Sequence, residues 1–128
     1  MRQADLFSVE AITPDSVLAT LRHCVGQANG QTAREIVLRV TGKRSAACER
    51  RLRKVIEALR TAGHPVCGHP ARGYYIAATD AELDHTCEFL FHRSMTSLKQ
   101  VSAMRRVTLP DLRGQLGLSL GAHHERDE

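Results

Sequence analysis

Six cations fall within twelve residues of this chain: Lys43, Arg44, Arg50, Arg51, Arg53 and Lys54. Arg presents a planar fork of donors that grips a phosphate, or the edge of a guanine, with two hydrogen bonds, so a cluster of this kind suits a polyanion. The apolar residues threaded through it give it a scaffold. Cys48, Leu52, Val55, Ile56 and Leu59 recur at three- and four-residue spacing, the signature of one buried helical stripe. Ser45 is of a type that caps helices by accepting an unpaired N–H of the first turn, and Gly63 supplies a left-handed stop. The spacing therefore predicts a helix over 45–62 that is basic on its outer side, with Glu49 and Glu57 as its acids.

Other chemistries find less support. His64, Cys67 and His69 could donate nitrogen and sulfur to a metal, but the spacing matches no compact zinc pattern. Alternation along a strand also sets Cys67 and His69 on one face and His64 on the other. The four cysteines at 24, 48, 67 and 87 form no short-spaced pair and sit in patterned segments, as reduced core cysteines do, which implies a cytoplasmic compartment. No positioned base, paired carboxylates or glycine-rich phosphate loop accompanies any of them. No catalytic residue, metal site or cofactor is read here, and the chain is not read as an enzyme.

The elements that must hold the basic helix follow from the flanking sequence. Thr13-Pro14-Asp15 starts a first helix, with Pro at the position where its missing N–H costs nothing, and Val17, Leu18, Leu21 and Val25 carry its apolar face up to Gly26. Residues 26–30 are a loop by composition. Thr32 and Glu35 form a capping box for a short second helix with Ile36, Val37 and Val40, ending near Gly42. After Gly63, His64 to Cys67 and Tyr74 to Ala77 read as two short strands joined by a turn over 68–73, with Arg72 at its tip.

A short helix, a glycine-containing turn, a Ser-capped basic helix and then a hairpin ending in Arg-Gly-Tyr resemble a winged helix-turn-helix domain. The biotin-repressor type is the nearest form of it, on Leu59, Arg60, Gly63, Gly73 and Tyr74. The resemblance covers residues 13–78 and implies binding to double-stranded DNA, with 32–41 as support and 45–62 as reader. It places Arg44, Ser45, Ala46, Glu49, Arg50 and Arg53 near bases, Lys43, Arg51 and Lys54 at phosphates around the shoulder, and Arg72 as a probe of the minor groove or backbone. By analogy with prophage and mobile-element proteins, it also implies a transcriptional regulator.

Residues 1–12 read as a flexible segment. Within it Gln3-Ala4-Asp5-Leu6-Phe7 resembles the motif by which bacterial replication and repair factors dock on the sliding clamp. That resemblance implies partner contacts by Gln3, Asp5, Leu6 and Phe7, and an alternative function as a clamp-bound replication or repair adaptor. Two adjacent large apolar side chains on a flexible end must in any case bury themselves on the domain or on a partner.

From Thr79 the pattern changes. Thr79 and Glu82 form another capping box, and a helix is expected over 79–107. Leu83, Leu90, Phe91, Met95, Leu98 and Val101 line it in a stripe longer than a small domain can cover, which predicts a homodimer, with folding back over its own domain as the alternative. Residues 108–128, broken by Pro110, Gly114, Gly117 and Gly121, read as a mobile tail. Residues 1–78 hold twelve Lys and Arg against six Asp and Glu, whereas 79–128 hold six against eight, so the net charge of +4 is concentrated in the first part. No apolar run is long enough for a membrane span, and no signal-peptide layout is present. The fold class expected is mainly α with a small β-hairpin wing, followed by a long C-terminal helix.

Overall fold

A computed structural model describes residues 8–111, which are mostly helical, with one small antiparallel hairpin and a long helix after it. In order, the elements are α1 (Pro14–Leu21), a 3-10 turn (Gln27–Asn29), α2 (Ala33–Thr41), α3 (Ala46–Thr61), β1 (Val66–His69), β2 (Gly73–Ile76) and α4 (Asp80–Arg105). They divide into two compact units, the first ending at Cys87 and the second starting at Glu88.

The first unit is built by local signals that agree with one another. Thr13 caps α1 reciprocally with Ser16: its hydroxyl accepts the Ser16 N–H at 3.1 Å, and the Ser16 hydroxyl accepts the Thr13 N–H at 3.0 Å. Thr32 and Glu35 do the same for α2, at 3.2 and 2.8 Å. Gly42 closes α2 at φ +82°, a conformation costly for any residue with a Cβ, and its N–H reaches the Leu38 carbonyl at 2.8 Å. The Ser45 hydroxyl accepts the Cys48 N–H at 3.2 Å and starts α3. The five apolar residues of the α3 stripe are all buried. They meet Val17 and Leu21 of α1, Ile36 and Val37 of α2, and Val66, Cys67 and Tyr75 of the hairpin in one core.

Two expectations are corrected at the N-terminal side. Residues 8–11 are helical and Ile12 is fully buried, so order begins before the first expected helix. The apolar pair Val9 and Ile12 explains this, because both pack on the core. In addition, α1 stops at Leu21 rather than reaching Gly26. The backbone of 24–26 is claimed instead by β2, with the Ile76 N–H on the Cys24 carbonyl at 2.7 Å and the Gly26 N–H on the Ile76 carbonyl at 2.8 Å. Val25, expected on the helix face, is consequently 47% exposed.

The hairpin pairs Val66 with Ile76, Cys67 with Tyr75, Gly68 with Tyr74 and His69 with Gly73. Its strands therefore lie nearer the turn than expected, and His64 precedes β1 rather than belonging to it. Gln31 adds a bridge on the other edge of β2, exchanging both backbone hydrogen bonds with Tyr74 at 3.0 and 2.7 Å. At Gly73, φ is +81° and any Cβ would run into the Gln31 carbonyl, so this close approach requires glycine.

The start of α4 belongs to the first unit. Thr79 accepts the Glu82 N–H at 3.2 Å, one arm of the expected box. The Glu82 carboxylate accepts its shortest hydrogen bonds from the N–H groups of Ala78 at 2.8 Å and Gln27 at 3.1 Å, with the Thr79 N–H as a weaker third contact. Leu83 packs on the core, and the buried Thr86 hydroxyl accepts the Gly68 N–H at 3.4 Å. Cys87 is exposed, against the expectation that all four cysteines lie in the core.

In the second unit α4 continues to Arg105 and ends at Arg106, whose φ of +58° is left-handed. Residues 109–111, expected at the start of a tail, are helical, and the Thr108 hydroxyl accepts the Asp111 N–H at 3.3 Å. No described helix is long and apolar enough to cross a membrane.

Candidate nucleic-acid interface

Helix α3 turns its apolar stripe inward, so the residues at Ala46, Arg50, Arg53, Lys54 and Glu57 share the opposite side by their spacing of four, seven, eight and eleven. All five are exposed. Arg44 stands exposed in the turn just before the helix, and Arg72 is exposed at the hairpin tip. The side chains of Arg44, Arg50, Arg53 and Lys54 make no hydrogen bond or ion pair among the described residues. On this face the three cations Arg50, Arg53 and Lys54 outnumber the single acid, Glu57, and leave a positive surface available to an outside anion.

Several expected site residues are placed differently. Lys54 shares the outer face with Arg50 rather than standing round its shoulder. Arg51 does sit on the flank, where its Nε–H donates to the Ile12 carbonyl at 3.1 Å and ties α3 to the N-terminal segment. The Ser45 hydroxyl is engaged in capping, and Glu49 is half-buried at the edge of the stripe. Lys43 is half-buried beside the Gly42 turn, where its N–H donates to the Thr41 hydroxyl at 3.3 Å. Arg60, not assigned to the site, donates to the Val66 carbonyl at 2.7 Å and fastens the hairpin to α3.

The hairpin tip is set by His69. Its Nδ1 accepts the N–H groups of Ala71 at 3.0 Å and Arg72 at 3.2 Å, which fixes the backbone that carries Arg72. The base of the hairpin is fixed from α4 by Thr86 and by the Cys67 thiol, which donates to the Glu82 carbonyl at 3.6 Å. Sequence reasoning missed this support. Thr86 lies three residues after Leu83, on the same helix face, which was the available signal.

The titrating groups that depart from their ordinary values serve the scaffold. Three backbone N–H groups, from Ala78, Gln27 and, most weakly, Thr79, hold the Glu82 carboxyl below the usual carboxylate range. Burial pushes the Tyr75 phenol up, a rise that a hydrogen bond with Thr86 eases. Burial also pushes the Cys24 thiol up, with Glu35 adding to the rise and Arg39 opposing it. A thiol kept protonated in this way is a poor nucleophile. Among the described residues no group of three or more His, Cys, Asp or Glu side chains is placed to hold a metal. A shallow cavity of about 330 Å³ on α2, lined by Gln31, Glu35, Leu38 and Arg39, lies apart from the basic face in sequence.

Gln3, Asp5, Leu6 and Phe7 lie outside the described residues. Of the residues expected to pair copies of the chain, Leu83 packs within the first unit and is not available. Leu90 and Phe91 are exposed, whereas Met95, Leu98 and Val101 are half-buried. The chain matches no family model, curated protein or solved structure.

Proposed function

We propose that this chain is a cytoplasmic winged helix-turn-helix protein that binds double-stranded DNA, with α3 as the reader, α2 as its support and the β1–β2 hairpin as the wing. The observation that carries this reading is the exposed, unpartnered face of Arg50, Arg53 and Lys54 on a helix that follows a Gly42 turn and leads into a hairpin tipped by Arg72. The single-residue bridge of Gln31 to Tyr74, between α1 and α2, supports it, since it seats the hairpin beside the helix pair. Arg50 and Arg53 read base edges, Arg44, Lys54 and Arg72 meet phosphates, and the protein acts as a regulator at an operator of a bacterial or prophage element. Enrichment of bound duplexes from a random pool tests this. A recurring sequence is expected, and its loss in a protein carrying Arg50→Ala and Arg53→Ala would assign the discrimination to these side chains. A pool that stays random after selection contradicts the regulator.

A second reading rests on Gln3-Ala4-Asp5-Leu6-Phe7: a replication or repair adaptor that docks on the sliding clamp. Replacing Leu6 and Phe7 by Ala then abolishes capture by purified clamp and leaves DNA affinity unchanged. Retained capture rules this reading out.

A further inference from the structure

In the second unit, Phe89, Leu90 and Phe91 are consecutive on α4 and are 52, 38 and 64% exposed. The Arg93 guanidinium stands over the Phe89 ring at 5.8 Å from its centroid, a cation–π contact that leaves Leu90 and Phe91 uncovered. Successive helix residues turn by about 100°, so Phe89 faces away from Phe91, and the uncovered apolar surface is that of Leu90 and Phe91, of the kind that marks an interaction site.

The charges on the same helix identify the partner. From Asp80 to Glu88, α4 carries four carboxylates and no Lys or Arg; from Phe89 to Arg105 it carries three cations and no carboxylate. The helix dipole accounts for Asp80 and Glu82 in the first turn and Arg105 in the last. It does not account for Asp84, Glu88, Arg93 or Lys99, which lie further in. The two blocks meet at the apolar patch. Parallel pairing of two such helices sets like charges side by side. Antiparallel pairing with a two-fold axis near Phe91 brings the two Phe91 rings together and sets Asp84 of each copy level with Lys99 of the other.

We infer that α4 pairs antiparallel with the same helix of a second copy, through Leu90 and Phe91 at the two-fold axis. The inference goes beyond the DNA reading and uses none of its residues, so either can fail alone. Sedimentation equilibrium of the full chain tests it. A dimer is expected, with Phe91→Asp weakening self-association about 30-fold or more while the far-UV circular dichroism is unchanged. Lys99→Glu weakens association, and adding Asp84→Lys to it restores association. Orientation is read by oxidative cross-linking in a Cys87→Ser background. Phe91→Cys cross-links efficiently, and Met104→Cys does not, because the two copies of residue 104 stand about 39 Å apart along an antiparallel pair. A chain that is monomeric throughout the concentration range overturns the inference, as does equal cross-linking at 91 and 104 or failure of the double charge swap to restore association.

Discussion

Arg51 and Arg53 are the same residue type two positions apart on α3, and the helix gives them different work. Arg51 faces the flank and holds the Ile12 carbonyl, whereas Arg53 faces outward with no partner. Arg50→Ala and Arg53→Ala are each expected to weaken binding to the preferred duplex by about 1–3 kcal/mol, roughly 5- to 150-fold, and to relax discrimination. The check is a titration of each variant against preferred and scrambled duplexes; equal losses on both would demote that Arg to a phosphate contact. Glu82 makes a prediction of another kind. Its folded pKa lies below the ordinary value, so the stability it contributes is present above the unfolded pKa and is lost as pH falls through the folded one. Melting temperature should therefore fall on acidification through and below the usual Glu range, and Glu82→Gln should flatten that fall. An unchanged profile in the variant would remove Glu82 from the account. The sequence marked Glu82 as a helix cap, but its bond to Gln27 spans 55 positions and has no local signature.

At the scale of elements, what was legible is what local rules decide. Ser45, five apolar residues at helical spacing and Gly63 define α3 almost to the residue, and Thr32, Glu35 and Gly42 do so for α2. Where α1 ends was not legible, because Val25 continues a helical pattern while its neighbours are claimed by a strand 50 residues away. The register of the hairpin was likewise hidden, since it depends on Gln31 and Thr86, which lie outside the hairpin's own sequence. Gly73 tests whether this non-local seat matters. Gly73→Ala combines a left-handed backbone with a clash against the Gln31 carbonyl, and should destabilise the fold by about 1–3 kcal/mol or more in urea denaturation. A loss below about 0.5 kcal/mol, the range of an ordinary surface substitution, would mean that the hairpin is not held by Gln31.

For the whole molecule, the separation of charge is the feature that sequence alone made plain, and the fold concentrates it. Five of the twelve cations in residues 1–78, namely Arg44, Arg50, Arg53, Lys54 and Arg72, stand exposed before or along one face of α3 or at the hairpin tip, while the acids of α4 begin after the last strand. Charge of this kind is suggestive of nucleic acid because a phosphate backbone binds through released counterions, an effect with a measurable exponent. The most direct test is therefore binding of the full chain to duplex DNA across a salt series. If Arg44, Lys54 and Arg72 meet phosphates, log affinity should fall with log salt at a slope of about −3, and Arg72→Ala should reduce that slope by about 1. A slope near zero, or no binding at low salt, would contradict the DNA reading and assign the basic face of α3 to a protein partner.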